Sequence, residues 1–290
     1  MASTKKPEWY QHEVQSINPE AQRLLESYSG FRPDEVLPHV LKLLIVVNHV
    51  YSKRDEAFSV FHYPCIGHLR FLTFQLPHHP AYQRILSRLR DDPSTGILEA
   101  GCCFGQEIRF LADQGIPSHQ LYGCDLEQPF IDLGYQLFRD RESLNATFAV
   151  GDLSSPDCLD PASPIFQNLA GKIDIAFASS LFHLWDYEEQ LRVATHLVRL
   201  CRLRPYTMIV GRQLGNVLGG SYPMADVAAG TNYRHNVQTI KGFWCDVGQA
   251  TGTRWIVEAD LYMGEELTKV KNAEWANEND RMLWFCATLQ

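Results

Sequence analysis

From Gly96 onward, short apolar runs alternate with amphipathic helical segments, and this alternation constrains the fold more than any other feature of the sequence. Strands that alternate with helices form right-handed strand–helix–strand units, whose mainly parallel sheet is covered on both faces. The pattern therefore predicts an α/β domain. The segments that carry this prediction are 96–100, 105–114, 120–124, 129–141, 146–150, 165–170, 173–178, 187–201, 207–210, 239–250, 254–262 and 282–289.

The first ninety-odd residues have a different, helical pattern. One amphipathic helix is predicted over Pro19–Ser29, starting near Asn18, and another over Pro33–His49 with acidic residues in its first turn. The segment Tyr63–Gly67 interrupts the periodicity and is predicted to be a loop, and a further helix is expected to end near Arg90. We predict a helical N-terminal extension over residues 1–92 that packs over the active face as a lid, and an α/β domain over residues 93–290.

Composition excludes several classes of protein. The chain has 290 residues and a formal net charge of −8 without a long basic run, which argues against a nucleic-acid partner. Its longest apolar run, Val40–Val47, contains Lys42 and is too short for a membrane span, and the N-terminus lacks the apolar core of a signal peptide. We expect a cytoplasmic protein with no membrane partner. The eight cysteines form no CxxC pair or zinc-type cluster, so no metal site is predicted.

The segment Ile97–Gly105 lies at the first predicted strand-to-helix turn and is the strongest ligand-binding signal in the sequence. Gly101 permits a tight turn off the strand, and Gly105 permits the helix to start close to a ligand. Cys103 stands where the dinucleotide pattern G-x-G-x-x-G has its second glycine, which argues against NAD. A carboxylate at Glu99 would repel a diphosphate and attract an ammonium group. A glycine-bearing turn without a ligand is the alternative.

Two further carboxylates follow the next two predicted strands. Asp125 ends the second strand, where an acid binds the two hydroxyls of a ribose, and Asp152 follows the third, where an acid accepts a hydrogen bond from the adenine amino group. Leu126 and Leu153 are expected to sandwich the adenine ring. Three acids at successive strand ends favour a cofactor that carries both adenosine and an amine. The predicted cofactor contacts are Glu99, Gly101, Cys102, Phe104, Gly105, Asp125, Leu126, Asp152, Leu153 and Ser179.

Acceptor chemistry is expected after the fourth and fifth strands. His183 is a candidate base or orienting group, with a histidine that merely caps or packs at a helix start as the alternative. Arg212, the second catalytic candidate, and Arg234 could clamp an anionic substrate, although each could equally form a surface ion pair. The glycine-rich stretch 219–222 is a candidate lid or acceptor pocket. The predicted substrate contacts are Tyr10, Gln213, Asn216 and Arg234.

Several motifs together resemble the fungal secondary-metabolite methyltransferases of meroterpenoid pathways, over nearly the whole chain. They are Tyr28-Ser-Gly, Pro33-Asp-Glu-Val-Leu-Pro-His39, Tyr63-Pro-Cys-Ile-Gly67, Gly101-Cys-Cys-Phe-Gly-Gln106, Phe130-Ile-Asp-Leu-Gly-Tyr135 and Val210-Gly-Arg-Gln213. The resemblance implies a homodimer that uses S-adenosylmethionine, often to form a methyl ester on a prenylated aromatic polyketide. This chain departs from the family with Glu99 and Glu107 where the family usually has aspartates.

We therefore expect a Rossmann-like class I methyltransferase with a mainly parallel seven-stranded sheet, an antiparallel last strand and a helical N-terminal extension. Its expected activity is S-adenosylmethionine-dependent O-methylation of a small hydrophobic natural-product intermediate, with a carboxylate as the preferred acceptor. One alternative is a cyclase or pericyclase that uses the cofactor only for its positive charge. The other is a non-catalytic binding protein on the same fold.

Overall fold

The computed structural model describes residues 15–54, 70–224, 230–269 and 277–290. Its α-helices, numbered in chain order, are α1 Pro19–Ser27, α2 Pro33–Arg54, α3 Tyr82–Asp91, α4 Gln106–Asp113, α5 Gln128–Phe138, α6 Pro164–Leu169, α7 Tyr187–Leu200, α8 Val237–Thr251 and α9 Glu265–Lys269. Its strands are β1 Ile97–Ala100, β2 Leu121–Asp125, β3 Thr147–Val150, β4 Ile175–Ser179, β5 Met208–Asn216, β6 Gly220–Pro223, β7 Thr231–Arg234, β8 Trp255–Tyr262 and β9 Asp280–Leu289.

Seven of these strands form one sheet in the order β3-β2-β1-β4-β5-β9-β8. The neighbours from β3 to β5 pair in parallel, whereas β9 runs antiparallel to both β5 and β8. The predicted mainly parallel seven-stranded sheet with an antiparallel last strand is therefore confirmed. Because parallel strands end at the same side, the C-terminal ends of β1 to β5 meet along one edge, which we call the carboxyl edge.

Helices cover both faces of the sheet, as a doubly wound parallel sheet requires. On one face α6, α7 and α8 bury Leu169, Val193 and Phe243 against β1, β4 and β9. On the opposite face α3 and α4 bury Ile85 and Ile108 against the same sheet. The fold thus has three layers, and the carboxyl edge is the open side between the helical layers.

The N-terminal helices form a separate cluster beside α5. Asn18 caps α1 by accepting a hydrogen bond from the backbone of Glu20, so the predicted start of this helix is confirmed. Helix α2 continues five residues beyond the predicted end at residue 49. Phe71 packs against Phe104 in a tilted arrangement with ring centroids 4.6 Å apart, which joins the N-terminal extension to the turn after β1. The predicted loop at residues 63–67 lies outside the described residues.

The prediction that the fifth strand ends at Val210 is wrong. Strand β5 continues to Asn216 because β9 pairs with all nine of its residues. Gly211 and Gly215 weaken the strand signal in the sequence but suit close packing, since a Cβ at these positions would lie 2.3 Å and 2.5 Å from backbone oxygens. The stretch after β5, predicted to be a glycine-rich lid loop, contains instead the antiparallel pair β6 and β7.

In the described part of the chain no helix is both long and apolar enough to span a membrane.

Candidate cofactor and acceptor site

The turn after β1 has the backbone conformation of a ligand-binding glycine loop. Gly101 and Gly105 have φ values of 72° and 65°, and Cys103, in place of the customary second glycine, also adopts a left-handed conformation with φ 50°. The backbone amides of Gly101 and Cys102 both donate to the carbonyl oxygen of Cys124 at 2.9 Å, which ties the loop to β2. Gly101 is exposed at the carboxyl edge, so a ligand can approach its backbone.

The side chains of Cys102 and Phe104 point into the protein. Both are almost fully buried, and burial raises the pKa of the Cys102 thiol well above its ordinary value. Phe104 packs on Phe71 and Phe130. Any contact of these two residues with a cofactor is therefore made by their backbone atoms.

Asp125, at the end of β2, is held in a fixed orientation. Its Oδ2 accepts the amide of Cys103 at 2.8 Å, and its Oδ1 accepts the amide of Glu127 at 3.0 Å. Burial raises the pKa of this carboxyl group, although the backbone amides oppose the shift. A carboxylate has about four acceptor positions, more than these backbone amides occupy, so Asp125 can still accept a hydrogen bond from a ribose.

Beyond β3 the predicted adenine contacts differ in exposure. The Oδ1 atom of Asp152 accepts both the amide and the hydroxyl of Ser154, and the residue is exposed. Leu126 is 52% exposed at the edge, whereas Leu153 is 6% exposed and packs in the core with α7. Leu126 thus offers free apolar surface to an adenine ring, and the two-sided sandwich stays a prediction.

Glu99 lies beneath the glycine loop. Its carboxylate accepts the backbone N–H of Ile108 in the first turn of α4, and its Oε2 is buried without a hydrogen-bond partner in the part of the chain that the structure describes. Burial and the neighbouring Glu107 raise the pKa of Glu99 well above its ordinary value. Because Glu99 is only 7% exposed, direct contact with a cofactor ammonium group stays a prediction.

Glu107 was not among the predicted site residues. Its Oε1 accepts the amide of Gln75 at 2.5 Å, which fastens the N-terminal extension to the first turn of α4. Burial raises the pKa of Glu107 to about 7. A carboxylate in the first turn of a helix is recognisable in the sequence, because it interacts favourably with the helix dipole. The sequence around Glu107 does not predict that its hydrogen-bond partner is Gln75.

The end of β4 reaches the same edge. Ser179 and Ser180 are half-buried, and Ser180 has a φ of 54°, an uncommon value for a residue other than glycine. The amide of Ser180 donates to the carbonyl oxygen of Arg212 at 2.6 Å, so this turn is fixed to β5. His183 is half-buried in the next turn, and its carbonyl oxygen accepts the side chain of Asn232 at 3.0 Å.

Arg212 lies beside a cavity of about 240 Å³, which we call the β5 cavity. The guanidinium Nε donates to the hydroxyl of Tyr262 at 3.0 Å, and the side chain is 6% exposed. The walls combine the segment before α3 with the ends of β8 and β9: Gln75, His78, His79, Tyr262 and Trp284. Ser179 pairs with Arg212 in the sheet, so the cavity adjoins the end of β4.

His79 fixes one wall of the β5 cavity. Its Nδ1 accepts the amide of Ala81 at 3.1 Å, and its Nε2 donates to the carbonyl oxygen of Gly211 at 3.2 Å. Burial lowers the pKa of His79 to about 4, so the ring is neutral at pH 7. With both nitrogens engaged, His79 positions the segment before α3 and cannot take a proton from a ligand.

Gln213 is fully buried next to Arg212 in β5, and neither end of its side-chain amide has a hydrogen-bond partner among the described residues. Successive residues of a strand face opposite sides of the sheet, so Gln213 does not share the β5 cavity with Arg212. An orphaned buried amide is costly and suggests a missing polar partner. Its predicted contact with the substrate stays a prediction.

Two other predicted substrate contacts are bound to the protein itself. Arg234 is 3% exposed and donates from Nη1 to both carboxylate oxygens of Asp280 at 2.8 Å, and Asn216 donates to the same carboxylate at 2.9 Å. The alternative of a surface ion pair is wrong for Arg234, because the pair is buried. These contacts favour a structural role for Asn216 and Arg234, and Tyr10 lies outside the described residues.

The residues that form the wall of the β5 cavity were also not predicted from the sequence as site residues. His79, Tyr262 and Trp284 come from three distant segments, and their only local signal is that aromatic residues stand near strand or helix ends. Their meeting depends on the pairing of β8 and β9 with β5, which spacing alone does not reveal.

The carboxyl edge suits S-adenosylmethionine in three respects. The glycine loop exposes backbone at Gly101, the Asp125 carboxylate is fixed with acceptor positions to spare, and Leu126 leaves apolar surface open. Together with the strand order, this edge defines a class I methyltransferase.

Comparison with known proteins agrees. A family described as the meroterpenoid methyltransferase N-terminal domain matches residues 9–43 and 45–72, and a methyltransferase domain family matches residues 97–203. The O-methyltransferase phiE of a fungal species is 38% identical, covering 96% of this chain and 91% of its own. The O-methyltransferase atr3 of Stereocaulon alpinum is 35% identical, with 96% and 74% covered. The asnovolin E/chermesin D methyltransferase nvfJ of Aspergillus novofumigatus is 39% identical, with 68% and 64% covered.

The chain therefore belongs to the fungal secondary-metabolite methyltransferases, and it is an S-adenosylmethionine-dependent enzyme.

Proposed function

We propose that this enzyme is an O-methyltransferase that esterifies the carboxyl group of a small hydrophobic intermediate in fungal meroterpenoid or polyketide biosynthesis. Two of its relatives are named O-methyltransferases, and a third is named for the natural products asnovolin E and chermesin D. These names support oxygen as the accepting atom and a natural product as the substrate.

The single observation that carries the carboxylate assignment is the position of Arg212. Its guanidinium is nearly buried beside the β5 cavity, and its backbone is bonded to the turn that ends β4. A planar guanidinium matches a carboxylate geometrically, because its N–H donors form a rigid fork. A carboxyl group with an ordinary pKa near 4 is already ionised at pH 7, so the acceptor needs no base.

The residues of the carboxyl edge then have distinct tasks. Asp125 binds the ribose hydroxyls, Leu126 covers one face of the adenine, and Asp152 accepts from the adenine amino group. When bound, S-adenosylmethionine supplies a methyl group on positively charged sulfur; a carboxylate oxygen forms the new C–O bond while the S–C bond breaks and its electron pair returns to sulfur. Catalysis by the protein is mainly alignment of oxygen, methyl and sulfur, which can contribute several kcal/mol.

His183 and Arg212 are the proposed catalytic residues. Arg212 binds one carboxylate oxygen and leaves the other available for attack. His183, in the turn after β4, orients the acceptor. A carboxylate acceptor gives His183 no proton to remove, so its role is positional.

The experiment is methyl transfer from methyl-deuterated S-adenosylmethionine to a panel of alkylated hydroxybenzoic acids. Mass spectrometry locates the label, and mild alkaline hydrolysis separates a methyl ester, which is cleaved, from a methyl ether, which is not. We expect the label to be released by hydrolysis. A stable label on a phenol oxygen, or on nitrogen or carbon, would overturn the proposed acceptor.

We further infer that the enzyme is a homodimer in which residues 1–92 form a helical extension over the domain at residues 93–290. The match of the meroterpenoid methyltransferase N-terminal domain to segments within residues 9–72 supports the extension. Light scattering on the purified protein tests the dimer, and a mass near 33.1 kDa, that of one chain, would contradict it.

A further inference from the structure

Strand β8 forms one edge of the seven-stranded sheet, and its outer side pairs with no other strand in the part of the chain that the structure describes. The strand has eight residues, Trp255–Tyr262, and contains no proline or lysine. Proteins commonly use these residues, a bulge or a very short strand to prevent an exposed edge from pairing with another chain. An edge of this length without them can accept a strand from a partner.

The backbone groups that face outward belong to alternate residues of β8. The amide of Gln290 donates to the carbonyl oxygen of Arg254 at 3.0 Å, and the pairing of β9 with β8 continues in the same register. Because hydrogen bonding alternates along an antiparallel pair, the even-numbered residues of β8 bond to β9. The N–H and C=O groups directed away from the sheet are therefore those of Trp255, Val257, Ala259 and Leu261.

The same edge leaves apolar surface uncovered. The side chains of the four odd-numbered residues pack on the core beside α8 but are only half-buried. On the other face of the strand, Ile256 is 56% exposed. A strand added at this edge would bury part of this surface, which favours association.

Two opposite charges identify the strand that fits. Arg254 and Asp260 are exposed, and neither forms an ion pair with another described residue. Their even spacing places them on the same face of the strand, with Val257 midway between them. If a two-fold axis passed through Val257, Arg254 of each copy would lie opposite Asp260 of the other, and opposite charges at such positions stabilise a strand pair. The edge is therefore complementary to itself.

The neighbouring registers fit less well. An axis at Ala259 would place Glu258 opposite Asp260 of the other copy, and like charges directly opposite each other are destabilising. An axis at Trp255 would leave residues 259–262 without a partner strand. With the axis at Val257, the bulky Trp255 lies opposite the small Ala259, and the outward backbone groups of the two copies meet as hydrogen-bonded pairs.

We propose that β8 pairs antiparallel with β8 of a second copy of this chain about a two-fold axis at Val257, which joins the two sheets into one. This inference rests on the homodimer of the proposed function and names its interface. Roughly six backbone hydrogen bonds form across the axis, and two pairs of Arg254 with Asp260 fix the register. A contact in which both copies use the same surface closes after two chains.

The test measures the dissociation constant of the dimer by sedimentation equilibrium on the full chain. Arg254→Asp alone and Asp260→Arg alone place like charges opposite each other, and each should raise this constant at least about tenfold. The double variant exchanges the two charges and should restore the dimer. Arg199→Asp makes the same change of charge at an exposed position on α7; it is the matched control and should dimerise like the wild type.

Val257→Pro removes an outward N–H group but no hydrogen bond to β9, so it should also weaken the dimer. Affinity for S-adenosylhomocysteine checks that each variant is folded. If both single charge variants dimerise like the wild type, the interface lies elsewhere and the inference is overturned, while the homodimer stands. If the double variant dimerises no better than the single variants, the register at Val257 is wrong. A wild type with the 33.1 kDa mass of one chain would contradict the homodimer itself, and the methyl-ester assay would be unaffected.

Discussion

The backbone amide of Cys103 donates a hydrogen bond to the carboxylate of Asp125 across 2.8 Å. This contact joins the loop after β1 to the end of β2, so the two motifs that we propose to bind opposite parts of the cofactor are held as one unit. Cys103 has a left-handed conformation that glycine adopts more readily, and the bond to Asp125 helps to offset that strain. The departure from the usual glycine pattern therefore leaves the loop geometry intact.

Leu126→Ala should weaken binding of S-adenosylhomocysteine about three- to tenfold without changing the free energy of unfolding. The side chain is 52% exposed, so its removal costs the fold little, but a bound adenine would bury it and gain from its apolar area. Leu203→Ala is the matched control, because Leu203 is equally exposed but lies away from the carboxyl edge. Calorimetric titration measures the affinities, and equal affinities for the two variants would contradict adenine contact at Leu126.

Asp140→Ala should lower the free energy of unfolding by about 3–5 kcal/mol, because it leaves the fully buried Arg109 without its ion pair. Tyr28→Phe removes the hydrogen bond from the N-terminal extension to the same carboxylate and should cost about 1 kcal/mol. Urea unfolding measures both. Asp132→Ala, which breaks the exposed pair with Arg141, is the control and should lower the free energy of unfolding by less than about 1 kcal/mol. If Asp140→Ala lowers it by no more than this control does, the buried pair does not stabilise the fold.

Glu107 should make the protein less stable as the pH rises. Its folded-state pKa of about 7 exceeds the ordinary value of 4.5, so the folded state binds the proton more tightly than the unfolded state. The resulting stability is complete below about pH 4.5 and is lost as the pH rises through 7. Between pH 5 and pH 8 the wild type should lose about 2 kcal/mol more than Glu107→Gln. Parallel urea unfolding at the two pH values checks this, and identical pH dependence of the two proteins would contradict it.

Arg234→Gln and Arg212→Gln should fail in different ways. Arg234 pairs with the buried Asp280, so its loss should destabilise the fold by about 3 kcal/mol or more. Arg212→Gln should leave the urea midpoint closer to that of the wild type and raise the KM for the acceptor instead. Unfolding curves and steady-state kinetics separate the two effects. If Arg234→Gln is as stable as the wild type but binds the acceptor more weakly, Arg234 contacts the substrate and its structural role is contradicted.

The sheet and the position of the carboxylates along its carboxyl edge could be predicted because their signals are local. The short apolar runs of β2 and β3 lead directly to Asp125 and Asp152, and parallel topology brings the ends of these strands together without further information. The start of α1 at Asn18 is local in the same sense, since a capping side chain needs only its own first turn.

The acceptor side could not be predicted in the same way because it depends on long-range pairing. Strand β5 runs past its predicted end because β9 accompanies it from a position about seventy residues later in the chain. Arg234 was predicted to contact the substrate, with a surface ion pair as the alternative, yet Asp280 neutralises it in the interior. Trp284 and His79 reach the β5 cavity only once β9 and the segment before α3 pack against β5.

The central claim is that the cofactor binds at the carboxyl edge around Asp125, and calorimetric titration with S-adenosylhomocysteine tests it most directly. The wild type should bind in the micromolar range, corresponding to about 8 kcal/mol. Asp125→Ala should lose this binding, whereas the exposed Asp132→Ala should retain it, with unfolding curves confirming that both variants are folded. If a folded Asp125→Ala binds as tightly as the wild type, the cofactor is held elsewhere and the account of this edge is wrong.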